Sequence, residues 1–410
     1  MKFNIITFGC KVNQYESNMM KEKLLHHSFL YTDNLDDADI VIINTCTVTN
    51  VADKKCFKEI RKIKREYSNK ILVVCGCSVQ NKSDLYEDMG IDILLGNKDK
   101  SKIAEIINKF LKDKIPYEKI YQDRKLEFED MQITDYDHVR AFIKIEDGCD
   151  NFCSYCIIPY VRGSVRCKDF DKVIIEAEDL VKTGHKEIVL TGIHTGHYES
   201  NGKDLSDLIR ELAKIEGLES IRISSIEITE LNDKFMETLE IVPKLANHLH
   251  IPLQSGSEEI LKRMNRKYDK EYFYNQVKKI RSIRPDISLT TDIIVGFPYE
   301  TDELFKESYD FAKKLNFAKI HVFPYSVREG TVAAKMPNQV DGTTKKERVK
   351  KLISISNKLE KDYYQKFVGQ KVKVLIEEVK DNVSIGHTSN YLKVEISKSL
   401  QVGQIYEVIL

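Results

Sequence analysis

The sequence predicts an α/β protein with an N-terminal doubly wound parallel sheet, a central partial (β/α) barrel and a small C-terminal β-barrel. Three observations carry this reading. Short β-branched apolar runs alternate with longer helical patterns from the N-terminus, which is the signature of parallel sheets. The alternation restarts after a polar stretch at 113–138, KDKIPYEKIYQDRKLEFEDMQITDYD. The tail from 367 to 410 reads KVKVLIEEV, YLKVEIS and IYEVIL with Gly369, Gly386 and Gly403 between, the pattern of short strands joined by turns.

In order, residues 3–8 (FNIITF), 39–44 (DIVIIN), 70–74 (KILVV) and 91–96 (IDILLG) read as strands. Helical patterns at about 14–27, 51–66, 80–88 and 100–112 separate or follow them. The second series places strands at 139–145, 187–191, 220–225, 248–253, 288–295 and 318–323. Helices at 172–183, 204–215, 258–264, 270–283 and 301–315 lie between, so six βα units in succession predict a barrel, partial or complete. Residues 342–367 read as one further basic helix. The domains expected are 1–112, a linker at 113–138, 139–340, a linking helix at 341–366, and 367–410.

Composition narrows the class. A chain of 410 residues with 42% hydrophobic and 31% charged residues is an ordinary globular balance, which excludes collagen, coiled coil and wholesale disorder. No run of about 18 apolar residues occurs, so no membrane span is expected. The N-terminus lacks a signal-peptide pattern, and the expected location is cytoplasmic. Lys+Arg and Asp+Glu both number 64, which at first argues against a nucleic-acid partner. The balance is a cancellation. Residues 341–410 carry 13 basic and 9 acidic groups, and 141–340 carry 28 and 32.

Nine cysteines in such a chain point to metal ligands or reactive thiols rather than disulfides. Cys149, Cys153 and Cys156 form C-x3-C-x2-C in EDGCDNFCSYCIIPYVRG. That spacing lets one tight loop aim three thiolates at a [4Fe–4S] cluster and leave one iron open. S-adenosylmethionine fills such a position through its amino and carboxylate groups. The competing reading is a zinc site with Cys167 as fourth ligand. Cys10, Cys46 and Cys77 each follow a predicted strand, and parallel strand ends converge in one crevice. They form a second three-ligand set, or else three buried structural cysteines. Cys75 shares a strand face with Cys77; Cys77 is preferred because it lies past the strand end. Cys56 and Cys167 are read as non-ligands.

These motifs resemble the methylthiotransferase family of radical S-adenosylmethionine enzymes over nearly the whole chain. FGCKVNQYES, NTCTVTNVAD, EDGCDNFCSYCIIPYVRG, LTGIHTGHY, HIPLQSGSEEILKRMNRKY, TTDIIVGFP and HVFPYSVREGTVAAKMP look most like the subgroup acting on threonylcarbamoyladenosine in tRNA. Sibling groups act on isopentenyladenosine in tRNA or on a ribosomal-protein aspartate. The resemblance implies an N-terminal domain with an auxiliary cluster on Cys10, Cys46 and Cys77. It implies a radical domain with its cluster on Cys149, Cys153 and Cys156, and a short TRAM-like C-terminal domain that binds RNA. Two [4Fe–4S] clusters and S-adenosylmethionine are the implied cofactors. A radical generated from S-adenosylmethionine would remove hydrogen from C2 of the adenosine, which then gains methylated sulfur. The implied partners are a tRNA anticodon loop, an electron-donor protein and a sulfur source, with the enzyme a monomer.

Cofactor contacts are expected from loops at the strand ends: Gly192, Ser224, Glu227, Gln254, Ser255 and Asp292. Each has turn chemistry or helix capping as the alternative. The resemblance adds the backbone of Tyr155, near the adenine. Arg162 and Arg166 could meet tRNA phosphate or the threonylcarbamoyl carboxylate, with rim salt bridges as the alternative. Lys58 and Arg61 belong to a basic run, Lys54 to Arg65, on the helix after Cys46; it reads as a solvated face or an RNA contact.

Overall fold

The computed structural model describes residues 1–47 and 49–410. The chain forms two compact units. The first comprises Met1–Thr134, Lys144–Phe152 and Cys156–Lys168. The second comprises Asp135–Ile143, Cys153–Tyr155 and Asp169–Leu410.

The first unit is built on strands β1 (Lys2–Thr7), β2 (Leu30–Tyr31), β3 (Ile40–Thr45), β4 (Ile71–Gly76), β5 (Ile93–Leu95) and β6 (Tyr117–Lys119). They pair in parallel in the order β2-β1-β3-β4-β5-β6. Every residue of β3 is buried, as a central parallel strand covered on both faces requires. Helices α1 (Lys11–His26), α2 (Asn50–Glu66), α3 (Cys77–Asn81) and α4 (Ile103–Asp113) supply the crossovers. Val41, Ile43, Leu72 and Val74 pack against Ile60, Ile63 and Tyr86 in one core.

Three elements differ from expectation. The edge strand β2, Leu30–Tyr31, has no strand pattern to mark it. The helix predicted at 80–88 is the short α3 followed by two single-turn 3₁₀ segments, Ser83–Leu85 and Glu87–Met89. Asn, Ser and Asp in NKSD compete for backbone hydrogen bonds and favour turns there. Part of the stretch read as a linker instead forms β6, hydrogen-bonded to β5 at the sheet edge. Its short polar sequence carries no period that would reveal a strand.

In the second unit the strands Arg140–Lys144, Glu187–Thr191 and Ser220–Ile223 form one three-stranded sheet. His248–His250, Ser288–Val295 and Lys319–Pro324 form another, wholly parallel. An isolated parallel bridge pairs Ile221 of the first sheet with Leu245, just before the first strand of the second, so the two sheets meet edge to edge as the strands of a partial barrel would. Helices follow these strands, including Asp233–Ile241, which the pattern did not single out. Glycine 296 (φ +70°) ends its strand where a Cβ would lie 2.3 Å from Lys345 Cγ, so the long helix Gly342–Gln365 packs directly on that turn. The buried Arg348–Glu300 pair fixes the same helix, with Nη1 donating over 2.7 Å.

The closed C-terminal barrel expected for 367–410 is instead an open antiparallel sheet of four strands. Its order is Lys393–Ile396, Val383–Thr388, Lys371–Lys380, Ile405–Ile409. Val374, Ile376 and Val394 make its small core. The sheet docks against the beginnings of the barrel strands. Arg140 pairs with Glu377 at 3.0 Å, and Arg222 donates to the Ser389 carbonyl at 3.2 Å. Tyr391 lies beneath both guanidinium groups and stacks on His248, 5.0 Å between ring centroids.

A Cβ on Gly386 would sit 2.1 Å from the Leu375 carbonyl oxygen across the ladder. Gly386→Ala should therefore destabilise this sheet by about 1–3 kcal/mol through overpacking. Faster cleavage of the C-terminal segment in limited proteolysis is the expected readout.

Candidate metal centres

The first centre is assembled by strand ends. β1, β3 and β4 are neighbours in the sheet order (β1-β3-β4), and Cys10, Cys46 and Cys77 stand just past their C-terminal ends. Gly9 adopts φ +106°, and a Cβ there would meet Cys46 Cβ at 2.7 Å and Sγ at 2.8 Å. Only glycine lets this turn press so closely on Cys46. Gly76 does the same before Cys77, facing the Thr45 carbonyl at 2.6 Å. Cys10 is exposed, whereas Cys46 and Cys77 are buried.

Arg162 holds this edge from within. Its Nε donates to Cys77 Sγ at 3.2 Å, Nη1 to Glu16 at 3.0 Å and Asp147 at 2.9 Å, and Nη2 to Asn13 at 2.8 Å. Lys100 and Lys144 also bind Glu16, and Lys144 and Arg166 bind Asp147. Four cations thus face two carboxylates in one hydrogen-bonded set. Burial opposes the charge on Glu16, but Arg162, Lys100 and Lys144 outweigh it and hold its carboxyl well below the usual range. Burial pushes the Cys77 thiol up while Arg162 and Lys100 pull it back. The surplus of positive charge suits anionic sulfur beside it.

This corrects one expectation. Arg162, read as a contact for phosphate or carboxylate, is only 2% exposed and every terminal nitrogen is committed internally. Arg166 likewise spends its nitrogens on Asp147 and on the carbonyls of Arg162 and Ser164. Asp53 ties the site's floor together by accepting from Thr47 and from Ser78. Cys75 lies within β4, fully buried, and burial pushes its thiol up to about 12. Cys56 sits in α2 with its thiol up to about 11, also through burial. On α2 itself, Lys58 and Arg61 are exposed and line a groove with Lys54, Phe57, Lys62 and Arg65.

The second set, Cys149, Cys153 and Cys156, stands on one short loop. The Cys149 N–H donates to the Gly163 carbonyl at 3.1 Å, which folds the loop back on its own continuation. In the second unit, Ser154 bonds Met264 and Ala333 through its backbone, and Arg266 donates to Cys153 Sγ at 3.3 Å. Arg266 also pairs with Glu227. Tyr155 packs beside Phe297, Met264 and Ala333.

The remaining candidates divide. Ser224, Glu227 and Gln254 are partly accessible in the turns past their strands, as is Gly192, whereas Asp292, also partly accessible, lies within the strand Ser288–Val295 rather than in a loop after it. Gln254 adopts φ +62°, and its N–H binds the Asp292 carbonyl at 2.8 Å, so these two are set beside each other. Asp292 faces His250 at 3.3 Å. Ser255 is a correction: it is fully buried, bonded to Ser308 at 3.0 Å, and serves the turn. Arg266, Glu16 and Lys100 were missed. Glu16 and Arg266 lie within the motif stretches and Lys100 outside them, and a buried charge has no sequence period to mark it.

Removing the Arg162 guanidinium deletes its bonds to Glu16, Asp147 and Asn13, while Lys100, Lys144 and Arg166 still pair the two carboxylates, so Arg162→Met should cost about 1–3 kcal/mol in urea unfolding at neutral pH. The Glu16 carboxyl is depressed on folding. Its contribution is therefore present above about pH 4.5, the unfolded value, and is lost as pH falls toward the folded value. The loss of stability on acidification below about pH 4.5 should be shallower in Arg162→Met than in the parent.

Comparison with known proteins follows the same division. Residues 2–96 match the uncharacterized protein family UPF0004, and 143–312 match the radical SAM superfamily. The chain is 41% identical to the threonylcarbamoyladenosine tRNA methylthiotransferase MtaB of Bacillus subtilis, over 98% of this chain and 92% of the relative. It is 36% identical to the tRNA-2-methylthio-N(6)-dimethylallyladenosine synthase of Acetivibrio thermocellus, over 98% of this chain and 87% of the relative. Among solved structures it shares its fold with the radical S-adenosylmethionine methyltransferase TsrM of Kitasatospora setae. That likeness has a TM-score of 0.61 at 14% identity, covering 81% of this chain and 77% of TsrM. With such identity along its whole length to named members, the chain belongs to the radical S-adenosylmethionine methylthiotransferase family.

Proposed function

We propose that the chain adds a methylthio group to C2 of N6-threonylcarbamoyladenosine at position 37 of tRNA. The observation that carries this reading is the 41% identity to an enzyme named for that nucleoside, over 98% of the chain. Two further relatives with the same name match at 35% and 37%.

The residues present fit two iron–sulfur clusters. Three thiols at adjacent strand ends, with a turn that admits no Cβ and a buried surplus of cations, suit an anionic cluster on Cys10, Cys46 and Cys77. C-x3-C-x2-C suits a cluster with one open iron for S-adenosylmethionine. When bound, these groups supply one-electron cleavage of S-adenosylmethionine and the sulfur that is transferred. The chain's own residues do the rest. Arg162 donates to the Cys77 sulfur and Arg266 to the Cys153 sulfur, each neutralising charge beside a ligand. Gly192, Ser224, Glu227 and Gln254 follow the strand ends where cofactor and base would lie, Asp292 lies within the strand Ser288–Val295, and Tyr155 packs on Phe297. Exposed Lys58 and Arg61 offer cations to tRNA phosphates.

The domain boundaries proposed are those read from the sequence, with the C-terminal sheet as a reduced TRAM-like module that adds to RNA affinity. The reaction needs an external electron donor and a sulfur source, and we place it in the cytoplasm, with the enzyme a monomer.

Nucleoside mass spectrometry of tRNA from a host lacking the gene decides the substrate. Loss of 2-methylthio-N6-threonylcarbamoyladenosine is the expected result; loss of the isopentenyl analogue would move the assignment to the sibling group. Cys153→Ala should abolish 5′-deoxyadenosine formation while tRNA binding persists. Iron analysis separates the β4 thiol from the one just past it: Cys77→Ala should lose the auxiliary cluster's iron, and Cys75→Ala should keep it.

A further inference from the structure

The barrel carries a third ligand set, distinct from all six cluster cysteines. His194 and His197 bracket the single 3₁₀ turn Thr195–His197 that follows the strand Glu187–Thr191. Three residues make one turn of a 3₁₀ helix, so side chains three apart eclipse. The two imidazoles accordingly stack, 3.8 Å between centroids and 31° between planes. Both turn Nε2 toward one carboxylate oxygen, Oε1 of Glu230, with His197 at 3.6 Å and His194 closer. The donor atoms of all three lie within 4.8 Å of one another.

The setting is built rather than incidental. His194 and Glu230 are 5% and 6% exposed. Gly196, between the histidines, lies so close to Glu230 that a Cβ would sit 1.8 Å from Oε2. The other carboxylate oxygen, Oε2, accepts the Glu227 N–H at 3.1 Å, which orients Oε1 toward the rings. This is the arrangement of a metal carboxylate held by an outer hydrogen bond. His197 is 46% exposed, so the fourth side opens to solvent.

We propose that His194, His197 and Glu230 bind a divalent cation of the zinc class. Two imidazoles and one carboxylate are a donor set that zinc accepts, with a fourth position left for water or an oxygen anion. Tetrahedral zinc with bonds of about 2.0–2.1 Å needs donors about 3.3 Å apart, within reach of these side chains by small rotations. The site communicates with the radical loop through one hydrogen-bonded path. Glu230 accepts from the Glu227 backbone, the Glu227 carboxylate pairs with Arg266, and Arg266 donates to Cys153. Occupancy would fix the 194–197 turn at the strand-end face, beside the cofactor loops.

The test uses the full-length enzyme with both iron–sulfur clusters reconstituted, so that the cluster cysteines are occupied. It is equilibrated with zinc sulfate, desalted, and measured for zinc and iron by mass spectrometry and for zinc K-edge X-ray absorption. The expected result is one zinc per chain in a shell of nitrogen and oxygen at about 2.0–2.1 Å, without sulfur. His197→Ala and Glu230→Gln should lose the zinc and keep their iron. Absence of zinc from the parent protein, sulfur at about 2.3 Å in the shell, or zinc retained in His197→Ala would overturn the proposal. His197→Ala removes an exposed ring, so folding of that variant is verified by its unchanged iron content.

Discussion

The buried guanidinium of Arg162 is the interaction on which the first unit depends. One cation joins α1 through Glu16 and Asn13, the start of α3 through Cys77, and the chain entering and leaving the cysteine loop through Asp147. A charge taken out of water must be fully paired, and here it is. Because the set holds more cations than carboxylates, the balance falls on sulfur. At Cys77 the Arg162 and Lys100 cations oppose the burial that holds its thiol above the usual value.

That edge exists because parallel strands all end on the same side. A doubly wound sheet brings its C-terminal turns together whatever their distance in sequence. Cys10, Cys46 and Cys77 are separated by whole crossovers, yet β1, β3 and β4 are neighbours in the sheet order. The glycines before Cys10 and Cys77 remove the steric barrier to close approach, and that is their reason for being there.

The second unit separates its tasks by strand polarity. Cofactor candidates, Arg266 and the His194–His197–Glu230 set lie at the strand ends. The C-terminal sheet docks on Arg140, Glu187, Arg222 and His248, at the strand beginnings. Arg222 is held there by a bidentate pair with Glu187, and burial, which would raise that carboxyl, is outweighed by Arg222 so that it stays lowered. The docked sheet and the candidate cofactor residues thus fall on opposite sides of the strands, the division that parallel barrels generally show.

Local pattern determined the alternation of strands and helices, the C-x3-C-x2-C loop and the preference for Cys77 past the strand end. These follow from periodicity and spacing, which are properties of neighbouring residues. Helix Lys270–Ile283 and strands Glu187–Thr191 and Ser288–Val295 match their sequence limits for that reason. Tertiary structure alone decided the fate of the charges. Arg162 and Arg166 read as surface cations, because an arginine on a polar loop has no sequence mark distinguishing exposure from burial. Glu16 and Lys100 meet across most of the first unit's length, at 2.5 Å, and no period could pair them. The same holds for Ser255, absorbed into a turn, and for β6, a strand only because β5 offers it an edge. Whether the last 44 residues, 367–410, close into a barrel was likewise a matter of pairing at the outer strands, and there the sheet stays open.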